Sequence, residues 1–169
     1  RFYIAGEIGN EDKTVDDDRL NFTTKGTYFK VGFDYNSFEN WLDMENMIYA
    51  GMRYGVSSFS QTLNSYTIYD PTNYYGENTI ISGAEFDGLN ASWLEVVGGI
   101  KAELFNNLYM GFSVRLNYLV SNKKPDNFDN LFIPGYNRTY DGKFGAGFNY
   151  TLSYFIPIYK KNKTITEKK

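Results

Sequence analysis

Eight charged side chains fall on one alternating face of this chain: Glu7, Asp34, Glu95 and Glu103 against Lys30, Arg53, Lys101 and Arg115. Paired carboxylates can do acid–base work, as in glycoside hydrolysis, where one acid is held protonated and the other ionised. Here every carboxylate has a basic counterpart, which favours charge pairing and space filling over proton transfer. The sequence has no histidine and no cysteine. The usual general base, the nucleophilic triads and the thiolate and imidazole metal ligands are therefore absent. The expectation is a protein that is not an enzyme and carries no cofactor or metal. The run Glu11, Asp12, Asp16, Asp17, Asp18 offers oxygen ligands for Ca²⁺, but without the spaced Asp/Gly pattern of a calcium loop it reads as a solvated acidic loop. A net charge of -3 provides no broad basic field for nucleic acid.

The elements that must hold these charges have a period of two. The clearest spans residues 144–158. One face reads Phe144, Ala146, Phe148, Tyr150, Leu152, Tyr154, Ile156, Ile158, and the other Gly145, Gly147, Asn149, Thr151, Ser153. Five further segments alternate in the same way, over residues 2–9, 27–36, 47–59, 91–104 and 108–121. Their apolar faces are rich in aromatics, matching a chain with 16 Tyr and 14 Phe. Such a face backed by small and charged residues suits a strand with lipid outside and a polar lumen inside. Mean hydropathy is only -0.47, as expected when half of each span points into a polar interior.

The connections alternate in length. Residues 10–26, 60–90 and 122–142 read as long loops, 105–107 as a tight turn and 37–46 as an intermediate one. Outer-membrane barrels have long extracellular loops and short periplasmic turns, so both termini are expected in the periplasm. The fold class expected is all-β: an antiparallel up-and-down transmembrane β-barrel over residues 1–159, with a basic periplasmic tail at 160–169. Single-chain bacterial barrels have an even number of strands, from about eight. Six are visible, so a further N-terminal hairpin is expected to complete eight. Residues 66–69 and 79–86 are too short to span and read as an extracellular hairpin. At eight strands the lumen is filled by side chains, so no open pore is expected. Trp41 and Trp93 are expected to anchor the membrane interfaces.

Lys143, Gly145, Phe148 and Tyr150 fit the spacing of the outer-membrane insertion signal: polar, any, Gly, any two, aromatic, any, aromatic. The whole pattern is similar to the small eight-stranded outer-membrane barrels, such as the OmpA transmembrane domain. The runs 48–59, from Ile48 to Phe59, and 93–101, from Trp93 to Lys101, look like an uncharacterised barrel family of the Bacteroidota. That resemblance spans nearly the whole chain. It implies an outer-membrane location and partnership with a lipoprotein or with the barrel-assembly complex, and it supplies no catalytic residues. The expected function is thus a structural or accessory subunit of an outer-membrane complex. Its partner contacts would lie on the loop bearing Tyr66, Tyr69, Tyr74 and Tyr75, since Tyr is enriched at interfaces. The alternatives are a solitary barrel whose loops bind an external ligand or surface, and a soluble lipocalin-like lipid carrier with the faces inverted.

Overall fold

The computed structural model describes residues 2–37, 46–68, 76, 78–125, 128–139 and 142–154. Strands β1 (Phe2–Asp17), β2 (Leu20–Asn36), β3 (Met47–Ile68), β4 (Asn78–Phe105) and β5 (Leu108–Asn122) are followed by two short strands, β6 (Phe132–Ile133) and β7 (Asn137–Arg138), and by β8 (Phe144–Tyr154). Six of them form one antiparallel sheet in the order β1-β2-β3-β4-β5-β8, while β6 and β7 pair with each other. The sheet curls strongly: Glu7 of β1 meets Arg115 of β5 at 3.2 Å, although three strands separate them in the sheet. It does not close, because β1 pairs only with β2 and β8 only with β5.

The alternation assigns the faces. Phe2, Ile4 and Ile8 on β1, Phe29, Val31 and Phe33 on β2, and Met110, Val114 and Leu116 on β5 are exposed on the outside. Lys30, Asp34 and Glu95 on the opposite face are buried. The inverted arrangement of a lipocalin-like carrier, with apolar rows inside, is therefore not what this sheet adopts.

Several expected boundaries are corrected. Residues 10–26 are not a long loop: β1 and β2 pair from Phe2↔Tyr35 to Asp17↔Leu20. Residues 60–68 and 78–90 continue β3 and β4, with Tyr66 opposite Ile80, and so are neither a loop nor a separate hairpin. These extensions lack the apolar alternation of the segments that read as strands. Cross-strand polar pairs hold them, such as Thr14–Thr23, Thr67–Thr79 and Asn64 with Asn21. Two register shifts interrupt the β3–β4 pairing. Beside them, Gly83 and Gly88 take positive φ (62° and 65°), the left-handed conformation that a bulge glycine supplies at low cost. The tight turn between β4 and β5 has Asn107 at φ 66°, which Asn tolerates better than most residues. The last strand is described to Tyr154; the expected continuation through Ile156 and Ile158, and the tail, lie outside the described residues.

The third long connection folds inward. Phe132, Ile133 and Tyr136 are buried, and Ile133 and Tyr136, with Phe59, Leu89, Ala91, Trp93 and Leu119, make the main apolar core. Trp93 is fully buried at this core, not at an interface girdle. Its neighbour Leu94 is exposed, so the period of two already placed Trp93 inside.

Candidate functional site

The concave side has an ionic middle, a cap on one side of it and a cavity on the other, and strand register explains the middle. The middle layer is ionic. Register places Glu7 opposite Lys30, Lys30 opposite Gly55 and Gly32 opposite Arg53, and Arg53 opposite Glu95. A long side chain repeatedly faces a glycine, which leaves it room. A Cβ on Gly32 would sit 2.9 Å from Arg53 Cγ and 2.0 Å from the Met52 carbonyl oxygen, and one on Gly51 would sit 2.1 Å from Asp34 Oδ1.

Six of the eight expected charges converge. Lys30 Nζ donates to Glu95 Oε2 at 2.9 Å, and Arg53 donates to both Asp34 oxygens at 3.3 Å. Arg115 lies 3.2 Å from Glu7. Glu95 Oε1 stands between the two guanidinium groups, 3.8 Å from Arg53 and 3.7 Å from Arg115. Glu7 also lies 4.0 Å from Lys30 and 3.7 Å from Arg53, and it accepts from the Tyr28 hydroxyl at 3.0 Å. The Lys30 and Glu95 side chains are 1% and 0% exposed. Ions this buried persist only when paired, and three acids with three bases leave the layer neutral.

Lys101 and Glu103 stand apart from this layer, contrary to expectation. The Lys101 ammonium lies over the Tyr49 ring at 5.2 Å. Glu103 accepts from the Asn107 backbone N–H at 3.3 Å in the turn. Each is further along β4 toward its turn end, beyond reach of the cluster.

Above the ions, toward the long connections, the segment 128–139 forms a cap. Tyr136 meets Trp93 edge-on, with ring centroids 5.7 Å apart. Gln61 grips the cap backbone twice, donating to the Asp129 carbonyl at 3.0 Å and accepting from the Leu131 N–H at 3.2 Å. Asn117 donates to the Tyr136 carbonyl at 3.0 Å. The Tyr136 hydroxyl donates to the Lys143 carbonyl, and burial raises this phenol above its ordinary range, so it remains a donor at neutral pH. Thr139 Oγ1 donates to the Asn130 carbonyl. The cap also reaches β1: the Gly135 N–H donates to Glu11 at 3.3 Å, Arg138 pairs with Asp17 at 2.6 Å, and Lys13 lies over the Phe132 ring. The acidic run thus supplies two anchors for the cap, and among the described residues no group of acids is placed to hold a metal ion.

Below the ions lies a cavity of about 750 Å³. Its walls include Tyr3 and Glu7 of β1, Asn149 and Thr151 of β8, and Arg53, Lys101 and Arg115 from between. It therefore occupies the gap between the two unpaired edges.

Of the expected partner-contact tyrosines, Tyr66 is a strand residue of β3, and Tyr69, Tyr74 and Tyr75 lie outside the described residues. Of the expected insertion signal, Lys143 precedes β8, Gly145 faces the Tyr136 hydroxyl, and Phe148 and Tyr150 are exposed on the outer face. The residues that sequence reasoning missed are Gln61, Asn117, Ile133 and Tyr136. Gln61 and Asn117 sit at inward positions of strands; Ile133 and Tyr136 sit in a Pro- and Gly-containing loop that carries no periodic signal.

A family model described as a domain of unknown function, DUF6048, matches residues 1–161. No curated protein and no solved structure matches the chain.

Proposed function

This chain belongs to the DUF6048 family, and we propose that it is a non-enzymatic outer-membrane β-barrel acting as a structural or accessory subunit of a larger outer-membrane complex. The observation that carries this reading is the polarity of the sheet, with aromatic and aliphatic rows exposed outside and charges buried inside. In water such a surface would be far larger than the apolar patch a soluble monomer tolerates. Its height agrees with a bilayer. On β5 the outward row runs from Met110 to Val120. At about 3.3 Å per residue and a tilt of about 40°, that row covers about 25 Å, the height of an outer-membrane apolar band.

In the same reading the barrel is completed by two further strands between β1 and β8. An open edge leaves backbone N–H and C=O groups unpaired, which hydrocarbon does not tolerate. The tight curl suits about eight strands, since a lumen bridged by two side chains matches the small side-chain-filled barrels. The cap and the ion layer then block the lumen, so the protein conducts nothing. With the lumen blocked, the surfaces remain as the working parts. Partners are membrane lipid and another outer-membrane protein or a lipoprotein, the barrel-assembly complex being the assembly that the family resemblance implies.

The test is fractionation of native membranes, followed by affinity isolation of the tagged protein in mild detergent and mass spectrometry. Co-isolation of one barrel or lipoprotein in stoichiometric amount is expected. Recovery of the protein alone from the outer membrane would favour a solitary barrel whose extracellular extensions bind a ligand or surface. Recovery from the soluble fraction would sink both.

A further inference from the structure

The cavity below the ions has one wall that paired strands complete by themselves. Two rows of inward residues cross it. In the first, Tyr49, Gly99, Ser113 and Asn149 lie side by side on β3, β4, β5 and β8. In the second, nearer the turns, Lys101, Gly111 and Thr151 lie side by side on β4, β5 and β8. The glycines make room for their neighbours. The Tyr49 ring lies over Gly99, where an added Cβ would sit 2.7 Å from its Cζ. The Lys101 stem and the Thr151 hydroxyl approach each other over Gly111, where an added Cβ would sit 3.2 Å from Lys101 Cγ and 2.5 Å from Thr151 Oγ1.

The sign of the charge on this wall is set by Lys101. The six ions above it cancel, three acids against three bases. Among the described residues Lys101 is paired with no carboxylate, and its ammonium rests on the Tyr49 ring at 5.2 Å, a contact that leaves the positive charge uncancelled. Glu103, two residues further along β4, accepts from the Asn107 N–H and does not line the cavity. Around the ammonium stand the polar side chains of Ser113, Asn149 and Thr151, all on the cavity wall. The hydrogen bonds of the ion layer and of the cap use none of these three. From β1, Tyr3 faces the same space with its side chain 52% exposed.

We propose that this cavity binds a small anionic sugar, with its oxyanion held by Lys101 and its hydroxyls by Ser113, Asn149 and Thr151. An ammonium among neutral donors is the arrangement that a phosphate or carboxylate oxygen satisfies. The Tyr3 ring offers a flat apolar surface to the body of the sugar. At about 750 Å³ the space is of ligand size. An acyl chain would leave the polar wall without partners, and a cation would meet Lys101. The ligand enters from the turn end, because the ion layer and the cap close the other. The site is complete within β1, β3, β4, β5 and β8, so it goes beyond the accessory-subunit reading and does not depend on it.

The experiment is titration calorimetry on the full-length protein, purified from whichever cell fraction holds it, with glucose 6-phosphate and glucuronate as probes and glucose as the neutral control. Saturable binding of at least one acid is expected, and none of glucose; the tighter acid tells phosphate from carboxylate. Lys101→Gln should weaken that binding by at least about tenfold, the loss expected for one hydrogen bond to a charged group. Lys101→Arg keeps the charge and should stay within about threefold. Neither change touches the ion layer, so the unfolding midpoint of the unliganded protein should not move. Thr151→Val should weaken binding by less than Lys101→Gln, and it carries the test if Lys101→Gln does not fold. No saturable binding of either acid to the folded protein overturns the proposal. So does equal binding of glucose, or an affinity unchanged by Lys101→Gln or, where that variant does not fold, by Thr151→Val.

Discussion

The two ends of the concave side are built from the same strands and finished in opposite ways. At the long-connection end the cap is folded onto the inward groups: Trp93 meets Tyr136, Gln61 holds the backbone of residues 129 and 131, and Glu11 and Asp17 hold Gly135 and Arg138. At the turn end Tyr3, Lys101 and Thr151 face a cavity. The ion layer divides the two. The difference teaches that a curled sheet with correct inside-out polarity does not by itself make a filled interior. Something must be laid into it, and here residues 128–139 do so at one end only.

The largest test removes the divider. Glu95→Ala leaves Lys30 buried without its closest counter-ion and should cost about 3–5 kcal/mol, read as a shift in guanidinium-induced unfolding followed by tryptophan fluorescence in detergent. The joint change Lys30→Met with Glu95→Leu should recover most of that loss, because an apolar pair of similar size needs no charge compensation. If both variants lose equally, the cluster is held by something other than its charges. Next comes the outer face, which both ends share. Val114→Arg should destabilise by about 2–4 kcal/mol in bilayers, as expected for a basic residue near the midplane. A neutral effect in liposomes would place that face in water.

The cap itself gives a smaller effect. Ile133→Ala should cost about 2–3 kcal/mol, within the range for truncating a buried aliphatic side chain. It should also speed proteolysis at residues 128–139 while leaving the ion layer intact. The smallest effect is expected at the cap's outer tie. Arg138 and Asp17 form an exposed pair at 2.6 Å, and Arg138→Ala should cost less than about 1 kcal/mol, with the difference shrinking further in high salt. A larger, salt-independent loss would make that tie a structural element of the cap.

The same comparison explains what could be read from the sequence. Where a strand has one exposed apolar face and one polar, inward face, the alternation is strict, so Phe29, Val31 and Phe33 were legible as outward and Lys30 and Asp34 as inward. Beyond those segments the pattern ends. Residues 10–17, 20–26, 60–68 and 78–90 also form paired strands, with register shifts between β3 and β4, yet their many polar residues make them resemble loops. The cap was invisible for a different reason. Ile133 and Tyr136 are apolar residues in an irregular segment, and which part of the interior they fill depends on contacts with Trp93 and Asn117 far away in the chain. For Lys101 and Glu103 the face was right and the height wrong: alternation fixes on which side of the sheet a charge lies, and only the register of neighbouring strands fixes which charges meet.

The cap's hold on Glu11 and Asp17 has a mechanical consequence. The segment bearing Gly135 and Arg138 belongs to the connection leading into β8, while both acids are on β1, so the cap clasps the two free edges together at one end. The two edges are thus tied to each other through the cap at the long-connection end, while toward the turns it is the cavity that lies between them: the same open sheet is latched at one end and left ajar at the other.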